Sequence, residues 1–128
     1  MKFIHLYIFL FVSSMTFGQN INQLDDNGKR HGIWKKTFES TKILRYEGEF
    51  FHGKEIGLFK FYKNLRNKAI LSATKQFNKT DNKAYVTFLS SRGKLISEGQ
   101  MDGKTYIGEW KYYQKRNDNL LTLEHYNS

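Results

Sequence analysis

The 128-residue chain has no cysteine and no proline. Without thiols there is no disulfide framework, no thiol nucleophile, no zinc–thiolate site and no lipidated N-terminal cysteine. Long hydrophobic runs are missing after the first dozen residues, so no later stretch nears the roughly 20 apolar residues of a membrane helix. Acids are few, with Asp+Glu 12 against Lys+Arg 21 and a formal net charge of +9. No Gly-x-Ser-x-Gly is present, and no cysteine stands ready to pair with a histidine. These gaps argue against the common nucleophilic enzymes and leave a small basic chain.

The first residues do not read as part of a folded domain. Lys2 is followed by an apolar run from Phe3 to Val12 and a small-residue exit at Thr16-Phe17-Gly18. A positive start, a short apolar stretch and small residues near a cleavage point make a secretory signal. The expected division is a signal peptide over 1–18, a short segment over 19–23 and one repeat domain over 24–128. Cleavage after Gly18 places the product in the periplasm or at the surface of a Gram-negative bacterium.

Self-similarity is the strongest signal in the remainder. Gly32-Ile33-Trp34-Lys35-Lys36, Gly57-Leu58-Phe59-Lys60-Phe61 and Gly108-Glu109-Trp110-Lys111-Tyr112 share glycine, any residue, a large aromatic and lysine. Ala84-Tyr85-Val86-Thr87-Phe88 is a weaker copy, so the starts fall at 32, 57, 84 and 108. A second phase begins at 42, 68, 94 and 120, and includes Glu47-Gly48 and Glu98-Gly99. Gly28-Lys29, Gly53-Lys54 and Gly103-Lys104 precede units, with Asn78-Lys79 in the weak copy.

Each unit alternates polar and apolar residues with period two, as strands do. Turn-forming residues lie at 39–41, 64–67, 91–93 and 116–119. The expectation is an all-β antiparallel meander of four hairpins, eight strands over about 33–127, in a twisted, curled sheet. Gly53 and Gly103 are expected in left-handed turn positions. Gly32, Gly57 and Gly108, just before the aromatic, are expected to let a ring lie on bare backbone. Phosphate-cradling loops crowd their glycines into one turn that opens a helix, which these do not.

The pattern Gly-Lys-x-x-Gly-x-Trp/Phe-Lys-x-Tyr/Phe, then Lys-x-Leu/Ile, then Glu-Gly, resembles the MORN-type repeats. It is closer still to their bacterial variant, the YwqK-family antitoxin-like proteins. The resemblance runs from about Asp26 to Tyr126, and the third unit departs from it at Asn78, Ala84 and Val86, where an irregular or bulged link is expected. It implies a twisted row of β-hairpins used for binding, scaffolding or membrane apposition.

Chemistry-bearing residues recur as the repeat does. His31 and His52 hold equivalent places beside inter-unit glycines and are read as repeat-equivalent surface residues, a pair stacked in space being the alternative. His125 is isolated. No ligand spacing points to a metal, and no cofactor is expected. Glu47, Glu98 and Glu124 recur in register, which suits partners for the repeated lysines better than a glycosidase pair. Trp34, Phe38, Phe59, Phe61, Phe88, Trp110 and Tyr112 are expected to face the core, where aromatic cross-strand pairs add about 0.2–1 kcal/mol each. An aromatic strip for sugars is the alternative. Tyr46, Tyr62, Tyr106 and Tyr113 are the candidates for exposed contact.

Lys35, Lys60 and Lys111 each follow an aromatic by one residue, so they share the opposite face and form a stripe. Such a stripe attracts an anionic envelope surface, lipid or lipopolysaccharide, or an acidic protein. It also keeps an open sheet soluble. Nucleic acid is not expected for an exported chain with interleaved acids. The candidate binding surface is therefore Lys35, Lys60, Lys111, Tyr62, Tyr106 and Tyr113. The expected function is a non-enzymatic binding or scaffold module at the envelope; the alternative is an inhibitor or immunity-type protein acting on one toxin or hydrolase.

Overall fold

A computed structural model of the chain describes residues 20–116 and 119–127. The signal segment expected over 1–18 lies outside the described residues. Strands β1 (Gln23–Leu24), β2 (Arg30–Thr37), β3 (Leu44–Phe51), β4 (Lys54–Leu65), β5 (Lys68–Phe77), β6 (Lys83–Leu89), β7 (Leu95–Asp102), β8 (Thr105–Tyr113) and β9 (Leu120–Tyr126) follow one another. They form one sheet in chain order, every neighbouring pair antiparallel, and its two edges do not meet. No helix among the described residues is long and apolar enough to cross a membrane.

The all-β meander agrees with the sequence; the count of eight strands and four hairpins does not. The hairpin count rises because links between units are themselves tight hairpins, and the strand count reaches nine because the short β1 precedes β2. Phe51 pairs with Lys54 and leaves only His52-Gly53 to reverse the chain, both at positive φ (45° and 89°). A two-residue turn of this hand matches the twist of the strands it joins. Gly103, at φ 60°, begins the same kind of reversal between Asp102 and Thr105. Both glycines therefore occupy the left-handed positions expected of them. The ninth strand, β1, pairs only through Gln23↔His31 and Leu24↔Arg30. Beyond it, the Asn22 side chain accepts the Lys35 N–H (2.8 Å) and donates to the Lys35 carbonyl (3.1 Å), standing in for a missing strand.

The glycines before the aromatics act differently from the expectation. Gly48 faces three residues, Gly57 to Phe59, and Gly99 faces Gly108 to Trp110. Gly57 (φ 69°) and Gly108 (φ 65°) supply the left-handed kink of each bulge, and a Cβ on either would meet nothing within 4 Å. Gly32 likewise has φ 83° and open space around it. The rings lie instead on the Glu-Gly glycines. A Cβ on Gly48 would sit 2.5 Å from the Phe59 ring, and one on Gly99 closer still to Trp110. The bulge tips the aromatic sideways across the neighbouring strand, so bare backbone is needed there.

The two bulged halves repeat every 51 residues: Glu47/Glu98, Gly48/Gly99, Gly57/Gly108, Phe59/Trp110, Lys60/Lys111 and Tyr62/Tyr113. On the aromatic face, Phe59 (2% exposed) meets Phe50 and Phe77 edge-on, each at 5.2 Å. Trp110 (0% exposed) stacks on Tyr106 at 4.3 Å and on Phe88 at 6.1 Å, and donates its indole N–H to the Gln100 carbonyl (2.8 Å). Phe77 packs against both groups and joins them.

The third unit is irregular in its link, residues 78–82 in place of a two-residue turn, and β6–β7 shifts register between Phe88 and Leu89. β5 and β6 pair without a register shift, and Ala84 and Val86 are buried with Met101 around Trp110. Small residues stand there because Trp110 and the neighbouring Phe77 and Phe88 already fill the layer. Trp34, one of the rings expected to face the core, is only half-buried. Its outer neighbour β1 is too short to cover it, and the Arg30 guanidinium sits 4.9 Å from its ring instead.

Candidate binding surface

On the face opposite the rings, one cross-strand row reads Lys35, Glu47, Lys60, Thr74, Thr87, Glu98, Lys111, Leu123. The three expected lysines do share this face and this row. They do not form an uninterrupted positive stripe. Glu47 separates Lys35 from Lys60, and Glu98 stands directly opposite Lys111. Lys60 and Lys111 are four strands apart, about 19 Å at the usual strand spacing.

The carboxylates are held by phenols. Tyr62 donates its hydroxyl to Glu47 Oε2 (2.7 Å), and Tyr113 donates to Glu98 Oε2 (2.6 Å). Tyr85 adds a short hydrogen bond to Glu98 Oε1. Between the two clusters Thr74 and Thr87 join hydroxyl to hydroxyl at 2.5 Å. No lysine of the row makes an ion pair with these acids among the described residues. The row thus alternates free ammonium groups with carboxylates pinned in place.

The electrostatics follow from these contacts. Burial, then the neighbouring Glu47, pushes the Tyr62 phenol up to about 12. Burial and Glu98 do the same to Tyr85, also to about 12, and Glu98 raises Tyr113. Hydrogen bonds from Tyr113 and Tyr85 hold Glu98 below the ordinary carboxylate range, with a smaller contribution from Lys111. A carboxylate that accepts two phenolic donors stays ionised at any physiological pH. Such a group is a poor general acid and a stable recognition element.

Of the six residues expected at the surface, Lys35, Lys60, Lys111, Tyr62 and Tyr113 lie on this polar face. Tyr106 lies on the other, stacked on Trp110. Tyr46 is also on the ring face, 6.2 Å from Phe61. Tyr85, Thr74 and Thr87 belong to the surface and were not anticipated. The 15-residue step from Glu47 to Tyr62, repeated from Glu98 to Tyr113, is the signal that finds half of it.

His31 and His52 do come together, with ring centroids 4.3 Å apart. The His52 N–H donates to His31 Nδ1 (3.1 Å), while His52 Nδ1 lies 2.7 Å from Asp25 Oδ2. Asp25 Oδ1 accepts the N–H groups of Asn27 and Lys29 at 2.9 Å each. The His52 hydrogen bond, then that from Lys29, lowers Asp25 to about 2. This cluster ties β1's turn to the β3–β4 hairpin. Among the described residues no group of three or more His, Asp or Glu is placed to hold a metal ion. His125 lies apart from it, opposite Glu109.

No family model, no curated protein and no solved structure matches the chain.

Proposed function

We infer that the protein is an exported, non-enzymatic binding or scaffold module of MORN-like repeats that engages a protein partner at the cell envelope. One observation carries the choice of partner: every lysine of the polar row faces a carboxylate fixed by tyrosine. A uniform polyanion gains little from a row of alternating sign, because each ammonium's attraction is offset one strand away. A protein surface of complementary alternation gains at every position, and misregistered partners meet like charges. Tyrosine is also enriched in recognition surfaces relative to the rest of a protein surface.

The test pairs two variants in pull-downs from an envelope extract. Glu47→Lys/Glu98→Lys reverses the fixed acids and is expected to abolish capture of a protein that the parent binds one-to-one. Lys35→Gln/Lys60→Gln/Lys111→Gln is expected to leave folding within about 0.5 kcal/mol of the parent, as exposed substitutions do. It is also expected to leave attachment to anionic vesicles unchanged. Loss of vesicle or lipopolysaccharide binding in the lysine variant, with the acid variant binding as before, would contradict the inference. N-terminal sequencing of the exported product checks the expected start after Gly18.

A further inference from the structure

In a meander, alternate turns lie at the same end of the sheet. The turns after β2, β4, β6 and β8 share one end, and those after β1, β3, β5 and β7 share the other. The second end interleaves its lysines with Asp25, Asp26, Glu55, Asp81 and Asp102. The first end is strongly basic. The turn after β4 carries Lys63, Arg66 and Lys68, the next carries Arg92 and Lys94, and the last carries Lys115 and Arg116. Among the described residues Glu39 is its one acid. The excess positive charge of the described residues therefore collects at this end, and only the chain order of the strands puts it there.

At the same end lie two adjoining grooves of about 320 and 330 Å³. They share Ser90, Ser91 and Ile96, so they make one trough from the β4–β5 hairpin to the turn after β8. Leu65, Ile70, Leu71 and Leu89 line its first half, with Lys63 at the rim. Leu95 and Tyr113 line the second, with Arg92, Lys94 and Lys115 around it. Among the described residues no carboxylate lines either half. Grooves elsewhere on the molecule mix the signs, as with Glu47, Glu49 and Lys60.

An apolar floor under cations and no anions calls for an apolar body with a negative end. The turn itself offers little to an extended peptide. Ser90 Oγ already accepts the N–H groups of Arg92 and Lys94, and Lys94 Nζ donates to the Gln114 carbonyl. Ile96, 45% exposed, and Leu65, 47% exposed, leave apolar surface for a ligand that needs no hydrogen bonds along its length.

We propose that this trough binds the monomeric anion of a single-chain amphiphile, its carboxylate or phosphate between Arg92 and Lys115 and its acyl chain over Ile96 toward Leu65 and Leu71. The guanidinium fork of Arg92 suits either headgroup. The site adjoins the polar face through Tyr113, which lines the trough and holds Glu98, but it uses no residue of the cross-strand row itself and its test is independent of the protein-partner reading.

Calorimetric titration with dodecanoate, dodecyl phosphate and dodecanol, each below its aggregation concentration, tests it. One of the two anions is expected to bind saturably at one site, and the tighter one identifies the headgroup. Dodecanol is expected to bind about tenfold to a hundredfold more weakly, the loss of one charge-assisted contact. Arg92→Gln/Lys115→Gln, at exposed positions, is expected to weaken the anion by a similar factor and leave dodecanol unchanged. Ile96→Glu is expected to remove both, and Lys35→Gln/Lys60→Gln/Lys111→Gln to change neither. Circular dichroism confirms that each variant is folded. The proposal is overturned if dodecanol binds as tightly as the anions, or if Arg92→Gln/Lys115→Gln binds like the parent. It is equally overturned if the protein sediments with anionic vesicles or binds single-stranded DNA while no monomeric amphiphile saturates it.

Discussion

Replacing Gly99 by alanine adds one methyl group at the most crowded point of the sheet. The new Cβ would overlap three ring atoms of Trp110, which no real Cβ approaches so closely. Trp110 has nowhere to go. It is fully buried, stacked between Tyr106 and Phe88, and tied through its indole N–H to the Gln100 carbonyl. Overpacking a well-filled core costs about 1–3 kcal/mol. Displacing the ring also gives up its hydrogen bond, worth about 1 kcal/mol. The expected loss is about 2–4 kcal/mol, or roughly 10–20 °C in Tm for a domain of this size. Gly108→Ala is the comparison: it meets no atoms within 4 Å but must hold φ 65°. The left-handed penalty for a residue with a Cβ is about 1–2 kcal/mol. Urea denaturation followed by Trp110 fluorescence, in a Trp34→Phe background, measures both. A cost below about 0.5 kcal/mol for Gly99→Ala would refute the ring-on-glycine packing. So would a larger cost for Gly108→Ala.

Three further outcomes follow from the same contacts. In an alkaline absorbance titration, Tyr62 and Tyr85 are expected to ionise near pH 12, and Tyr62→Phe to remove one late-titrating group. Their folded values lie above the unfolded value of about 10. Their stabilising contribution is therefore complete below about pH 10 and is lost as pH rises toward 12. Asp25, held at about 2, works in the opposite sense. Its contribution is present above about pH 4 and lost as pH falls through 2, so Asp25→Asn and the parent are expected to differ in stability at pH 6 and converge near pH 2. Val86→Ala removes two methyl groups from a site with no solvent exposure and is expected to cost about 2 kcal/mol by thermal or chemical unfolding.

The strand type and the meander were legible because alternation and turn glycines are local signals. The meeting of His31 with His52 was legible only as an option, because it depends on β2–β3 register: Gly32 pairs with Phe50, which brings the residue after β3 against His31. Which glycine bears a ring was not. That depends on three residues of one strand passing a single residue of the next, a property of two strands together. Ala84 and Val86 looked like a decayed repeat when judged alone. They are small because Trp110 and Phe77, from units on either side, already occupy the ring layer. Likewise Lys35, Lys60 and Lys111 look like a stripe only until the strands between them are supplied with Glu47 and Glu98. Register decides that charge pattern, and register is set by bulges that no local window contains. The basic trough was equally hidden, because its lysines and arginines are scattered through the chain and meet only when every second turn is folded to one end.

Placing a photo-crosslinking amino acid at Gln76 or Gln100, both exposed on the polar face, and irradiating in an envelope extract tests the central reading most directly. The same probe at Lys104, in the turn after β7, is the control. One protein adduct of constant mass is expected from positions 76 and 100, and none from 104. Adducts confined to lipid or lipopolysaccharide, or an equal yield from all three positions, would contradict it.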